Sequence, residues 1–211
     1  MTPSPSGPGQ PRTKHEWRAY LRARRRAVPP ELRAAEATQL VETAVRSAAG
    51  CAGPVCCYSP IADEPGSPAL LDALRAAGHV VLLPLVPHDG GAGAPVGRPL
   101  NWAPYEGADQ LVDGPYGIKQ PRDAGWGPAA IATAGFVLVP ALAVDQRGVR
   151  LGRGAGWYDR TLPLARPHTP LVAVVRDDDI VRSLPADRHD VRMTDVLTPR
   201  GGLRALPLSL D

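Results

Sequence analysis

The chain has 211 residues, 44% of them hydrophobic, which suits one globular domain with a sizeable core. No apolar run approaches the roughly 20 residues needed to cross a bilayer, and Met1 to Pro11 has neither the charge nor the apolar centre of a secretory signal. The net charge of +3 is unevenly spread: residues 12–33 hold eight Arg/Lys against Glu16 and Glu31, or +6, which leaves −3 for the remainder.

Residues 1–11 read as a disordered tail and residues 12–211 as one domain. Lys14 to Ala27 has helical periodicity with two faces. Trp17, Tyr20, Leu21 and Val28 are apolar, whereas Lys14, Arg18, Arg22 and Arg25 form a basic stripe. Pro29-Pro30 ends this helix and opens a second one that runs to about Ala48. Pro54 to Ser59 is a short strand, Ser67-Pro68 starts a helix that stops before Gly78, and His79 to Val86 is an apolar strand. Residues 87–99, rich in glycine and proline, are a loop, and Leu100 to Arg122 shows few periodic signals. Phe136 to Pro140 is a buried strand, Trp157 to Leu164 a helix, Pro170 to Val175 a strand, and Asp195 to Thr198 a last strand. Strands alternating with helices predict an α/β fold: a single three-layer domain with a mostly parallel sheet flanked by helices. Ligands then bind beyond the C-terminal strand ends, where Glu64 and the glycine-rich loop both fall.

Cys51, Cys56 and Cys57 are odd in number and lack metal-ligand spacing, so they read as small core residues of a chain kept in a reducing cytoplasm. His15, His79, His88, His168 and His189 show no metal spacing and read as surface or structural residues. Asp177-Asp-Asp179 reads as a turn or short helix.

Arg150-Leu-Gly-Arg-Gly-Ala-Gly-Trp-Tyr-Asp-Arg160 concentrates the chemistry. Gly152, Gly154 and Gly156 permit positive φ and close backbone approach, so their N–H groups suit anionic oxygens. Arg150 and Arg153 add charge-assisted hydrogen bonds, and Asp159 can hold magnesium between phosphates. The spacing fits neither the dinucleotide fingerprint nor the Walker loop. Lys14 is one of two lysines beside 22 arginines, and shares a helix face with Arg18, so together they can grip a polyphosphate. Glu64 ends a strand before Pro65-Gly66, where a carboxylate can accept two parallel hydrogen bonds. Trp102, Trp157 and Tyr158 offer flat rings in a chain with only ten aromatic residues.

The eleven-residue run resembles the Arg-Leu-Gly-x-Gly-x-Gly-Tyr-Tyr-Asp signature of the 5-formyltetrahydrofolate cyclo-ligase family, also called methenyltetrahydrofolate synthetases. Phe136-Val-Leu-Val-Pro-Ala-Leu-Ala-Val-Asp145 resembles that family's strand and turn, with Ala141 in place of the usual glycine. Tyr58-Ser-Pro-Ile-Ala-Asp-Glu-Pro-Gly66 resembles its strand-end segment, and Lys14-x-x-x-Arg18 its helix-opening pair. The likeness runs in the family's order over about residues 14–199. It departs at Trp157, at Ala155 where many members have lysine, and at Gln120, which stands for glutamate in Gly117-Ile-Lys-Gln-Pro121.

The resemblance implies a fold like that of the sugar-isomerase/CoA-transferase group. It also implies ATP- and magnesium-dependent closure of 5-formyltetrahydrofolate to 5,10-methenyltetrahydrofolate, with release of ADP and phosphate. Arg150 and Arg153 are then catalytic. Lys14, Arg18 and the run Arg150, Leu151, Gly152, Arg153, Gly154, Ala155, Gly156, Trp157, Tyr158 hold ATP, with Arg153 or Lys119 making up for Ala155. Ser59, Glu64, Trp102 and Trp157 take the folate, and Asp159 and Asp195 the metal. The expected partners are reduced folate and ATP, without nucleic acid or membrane, for a monomer. The resemblance says nothing for Arg24, Arg25 or Arg26. Two other readings stay open: a divergent relative acting on another substrate, and a nucleic-acid-binding module using the basic helix.

Overall fold

The computed structural model describes residues 11–61, 63–87 and 97–208. The expected tail therefore lies, except for Pro11, outside the described residues, as do His88 and most of the 87–99 loop. Helix α1 (Lys14–Arg26) starts with a capping box in which the Thr13 side chain accepts from the Glu16 amide and the Glu16 carboxylate accepts from Thr13 N at 3.0 Å. Helix α2 (Pro30–Ala48) begins with proline at its first turn, as the sequence predicts, and buries Leu40, Ala44 and Ala48, a stripe at i, i+4 and i+8.

The central sheet has seven strands: β1 (Val55–Cys56), β2 (Val81–Leu85), β3 (Asn101–Pro104), β6 (Phe136–Pro140), β9 (Leu171–Val174), β11 (Asp195–Thr198) and β12 (Gly202–Ala205). They lie in the order β12-β11-β9-β6-β1-β2-β3, parallel throughout the middle and antiparallel at the two edge pairs. Both faces are covered, and the period of two divides each strand between two cores. Val55, Val81, Phe136, Leu138, Val172 and Val174 face α2 and α3 (Ala69–Ala76). Cys56, Leu82, Val137, Val139 and Ala173 face the opposite layer, which contains Ala130, Ile131 and Leu162.

Edge strands β3 and β12 are absent from the sequence reading. So are the hairpin β4 (Leu111–Asp113) with β5 (Lys119–Pro121) and the small sheet of β7 (Ala143–Asp145), β8 (Arg150–Leu151) and β10 (Ile180–Val181). These elements are two to four residues long, too short for a periodic signal. The β7–β8 turn is built by buried Asp145, whose carboxylate accepts from the amides of Arg147, Val149 and Leu184. Gly148 in that turn has φ +88°, and a Cβ there would sit 2.5 Å from the Met193 carbonyl oxygen, so only glycine fits. Helix α4 (Trp157–Thr161) follows the glycine-rich loop and passes into a 3₁₀ turn, Leu162–Leu164.

Helix α1 packs Trp17 and Leu21 against Leu142, Ala143, Val149 and Leu151 of the small sheet. Chain start and glycine loop are thereby brought side by side.

Candidate active site

The C-terminal ends of β1, β2 and β6, the glycine loop and one face of α1 enclose a cleft of about 990 Å³. That is the place and size expected for a ligand site in a parallel sheet. Lys14, Arg18, Ser59, Glu64 and all residues from Arg150 to Asp159 line it. The strand ends fix Ser59 and Glu64, because the chain leaves β1 through buried Tyr58, whose hydroxyl donates to the Pro65 carbonyl oxygen. Burial also pushes the Tyr58 and Tyr158 hydroxyls well above their ordinary value, so both stay neutral.

In the glycine loop, Gly154 has φ +117° and Gly156 has φ +69°, both favoured by glycine. Gly152 differs from the expectation. Its φ is not in the left-handed region, and a Cβ built there meets nothing within 4 Å. The loop is tied to α1: Arg18 Nε donates to Gly152 O at 3.0 Å, and Arg22 Nη2 to Arg153 O at 3.2 Å.

Arg150 is buried, with its guanidinium 5.7 Å from the Tyr158 ring centroid. Its Nη2 donates to Asp159 at 2.6 Å, while its Nη1 has no hydrogen-bond partner among the described residues. Arg22 Nε is likewise buried and without a partner among the described residues, and Arg22 lines the cleft. Two buried cationic donors beside a cleft are costly unless something anionic satisfies them. The sequence reading put Arg22 on the basic stripe but assigned it no role, since the resemblance covers only Lys14 and Arg18. Arg25, the next residue of that stripe, belongs to the scaffold instead. It is 1% exposed, pairs with Asp179 at 3.0 Å and donates to the Ala141 and Leu142 carbonyls.

Arg153 bridges Asp63 at 2.6 Å and Glu64 at 2.9 Å. Burial raises the Glu64 carboxyl above its ordinary range, against the opposing pull of Arg153. Burial alone would raise Asp63 too, but the Arg153 hydrogen bond holds it below its usual value. Lys14 lies 2.8 Å from Asp187 and 2.7 Å from Asp190. Burial works to lower its pKa, but the two carboxylates win and raise it. His189 stands with these acids at the cleft margin, their ligand atoms all within 4.8 Å, so it is a cleft residue and not only a surface one.

Several expected site residues lie elsewhere. Trp102 is fully buried, packed with Leu82, Val137 and Ile131 on the covered face of edge strand β3, and does not line the cleft. Asp195 opens β11 opposite Val172 and so sits at the N-terminal edge of the parallel sheet, away from the cleft, with its carboxylate bound by the Thr194 hydroxyl. Lys119 pairs with exposed Asp113 across the β4–β5 hairpin. Gln120 accepts from the Val86 amide at 2.9 Å, which ties that hairpin to the end of β2. The aromatic wall that Trp102 does not supply comes from Tyr116, whose ring lies 5.7 Å from that of Trp157. Tyr116 has φ +59° in a tight turn beside Gly117, and the sequence carried no signal for its role.

Fold and cleft define an α/β protein with a cationic glycine loop facing a carboxylate across a ligand-sized cavity. Residues 10–199 match the 5-formyltetrahydrofolate cyclo-ligase family, and the chain belongs to that family of C–N ligases. It is 46% identical over 203 residues to the 5-formyltetrahydrofolate cyclo-ligase of Mycolicibacterium smegmatis, covering 93% of this chain and 98% of the relative. It is 30% identical over 131 residues to that of Escherichia coli, covering 62% and 69% respectively. Among solved structures it resembles a 5,10-methenyltetrahydrofolate synthetase from Aquifex aeolicus, with TM-score 0.69, 24% identity and 94% of this chain and 95% of that one covered. One from Mycoplasma pneumoniae gives TM-score 0.66 at 17% identity, covering 89% and 99%. These two likenesses support the fold.

Proposed function

We propose that the chain closes 5-formyltetrahydrofolate to 5,10-methenyltetrahydrofolate, consuming ATP and releasing ADP and phosphate. Family membership supports the reaction. The observation that carries the reading to this cleft is the pairing of a glycine loop, with a buried unpartnered Arg150 donor, and an enclosed carboxylate, Glu64, across one cavity.

A formamide oxygen is a poor leaving group. Transfer of the γ-phosphoryl group onto it makes phosphate the leaving group, and N10 then attacks the formyl carbon to close the ring. Such a transfer asks the protein for position and charge neutralisation rather than a nucleophile. Arg150 and Arg22 face the phosphates with donors to spare, while Lys14 and Arg18 stand beside the loop. Gly154 and Gly156 bring the backbone close. Glu64 accepts from the aminopyrimidine edge, and Trp157 with Tyr116 walls the rings. Cys56 and Cys57 take no part, because burial pushes both thiols up, Cys57 to about 12.

The oxygen donors of the cleft fit a magnesium ion. Asp159 gives one oxygen to Arg150 and keeps the other for a cation that takes the rest of its shell from waters and phosphates, whereas Asp187 and Asp190 at the margin are taken up by Lys14. Such an ion would neutralise negative charge on the phosphates. Asp159 is the residue assigned to hold it, and Asp195 is not.

An assay that follows ADP and the methenyl product together tests the reading. With ATP, magnesium and 5-formyltetrahydrofolate all present the two should appear in nearly equal amounts, and the methenyl product should need all three. ADP without the folate product, or neither, rejects it.

A further inference from the structure

Arg153 connects the two sides of the cleft. Its Nη2 donates to Asp63 at 2.6 Å and its Nε to Glu64 at 2.9 Å, so one glycine-loop cation is shared by two adjacent carboxylates after β1. No other cation forms an ion pair with either acid among the described residues. The Glu64 side chain is 10% exposed, and among the described residues its other oxygen accepts only from the Ile61 amide at 3.2 Å. Its charged form therefore leans on Arg153, because burial opposes ionisation there. Arg153 itself is 32% exposed on its side chain, against 1% for Arg25, so it can reorient without opening the core.

Three anions compete for this guanidinium once a γ-phosphate enters: Asp63, Glu64 and the phosphate. Drawing Arg153 to the phosphate strips an enclosed carboxylate of its strongest donor, which is costly. A pterin edge brings two N–H donors to the same carboxylate and removes that cost.

We infer that Asp63 and Glu64 hold Arg153 back from ATP until a folate edge replaces it on Glu64, which makes Asp63 and Arg153 positioning residues that couple the two substrates. The inference rests on the ligase reading above, in which Glu64 takes the pterin and the glycine loop the phosphates. Its consequence is protection of ATP. Hydrolysis requires a water oxygen to bond to the γ-phosphorus while the bond to the β–γ bridging oxygen breaks, giving ADP and phosphate with one proton released to solvent. With Arg153 on the carboxylates, the charge developing on that phosphoryl group lacks one donor. The formyl oxygen, which arrives together with the pterin, meets the complete set.

The test is titration with a non-hydrolysable ATP analogue and with ADP, each with and without saturating 5-formyltetrahydrofolate, in the wild type, Asp63→Asn and Arg153→Met. In the wild type folate should tighten the analogue by about 10- to 50-fold, within the usual span for coupled sites, and ADP, which lacks the γ-phosphate, by less than about 3-fold. Asp63→Asn should lower the coupling for the analogue below about 3-fold and raise folate-independent ADP release from ATP about tenfold, the gain of roughly one transition-state donor. Arg153→Met should abolish the coupling without raising that release, since the cation is gone from both positions. Unchanged coupling in both variants overturns the inference, and so does its absence from the wild type. Should Asp63→Asn fail to fold by thermal melting, Arg153→Met decides alone. A wild type that binds neither ligand sinks the ligase reading itself, whereas one that binds both and turns over without coupling sinks only this inference.

Discussion

Arg150 and Arg25 are both buried arginines bound to an aspartate, yet their surroundings assign them opposite duties. Arg150 keeps a donor without a partner beside the cleft, so Arg150→Met should lower kcat/KM by about two to three orders of magnitude, as loss of a preorganised transition-state donor does. Its melting temperature should move little, because Asp159 remains 19% exposed on its side chain and can be hydrated. Arg25→Ala removes the partner of Asp179, which is 1% exposed on its side chain, and the donors of two carbonyls. Stripping one member of a buried pair costs about 3–5 kcal/mol, and urea unfolding at neutral pH measures it. Glu64 adds a pH dependence. Its folded pKa is raised, so its ionised form is lost as pH falls through a value above the ordinary 4.5. Folate affinity should therefore start to fall above pH 4.5, and Glu64→Gln should remove that step from the calorimetric pH profile. The sign for stability is the reverse: a carboxyl favoured in its neutral form helps most below 4.5, and this contribution is lost as pH rises through the folded value.

At the scale of elements, the glycine loop separates two kinds of glycine that the sequence does not distinguish. Gly154 has φ +117°, and a Cβ there would lie 3.5 Å from the Arg18 guanidinium carbon, whereas Gly152 has neither constraint. Gly154→Ala should then cost about 1–3 kcal/mol, the usual strain of a side chain in that region, and Gly152→Ala well under that. Thermal denaturation of the two variants without ligand makes the comparison, and equal losses would mean the loop relaxes. The same limit governs what the sequence revealed. The bounds of α2, β6 and β11 are those read from it, because long helical periodicity, proline punctuation and continuous apolar runs are local signals. The small sheet, β3 and β12 gave no such signal, since two to four residues gain their order from neighbours far along the chain. Ser59, Glu64 and the Arg150–Asp159 run carried a sequence pattern and line the cleft. Trp102 was misjudged because ring chemistry says nothing about which face of a strand is covered. Asp195 opens the strand that the sequence bounds at Asp195 to Thr198, so it lies at the end away from the cleft, a consequence of the strand's direction that the motif alone does not carry.

Across the whole molecule, α1 acts as a strap that spends most of its basic face on the second half of the chain. Lys14 reaches Asp187 and Asp190, Arg18 the Gly152 carbonyl, Arg22 the Arg153 carbonyl, Arg24 the Asp178 carbonyl and Arg25 the Asp179 carboxylate. A nucleic-acid module needs its cations free to meet phosphates along a strand, and this helix has turned them inward to build a cleft wall. Arg26 is exposed and lies outside the cleft, which makes it the comparison for Lys14. Lys14→Ala should raise KM for ATP about tenfold, the loss of roughly 1.4 kcal/mol expected when one charge-assisted phosphate contact disappears, while Arg26→Ala should leave it unchanged. RNA titrations of wild type and both variants at rising salt complete the test. Tight RNA binding that weakens equally in the two variants, with ATP kinetics unmoved, would mean that the strap serves a polyanion outside the cleft and that Lys14 has no part in holding ATP.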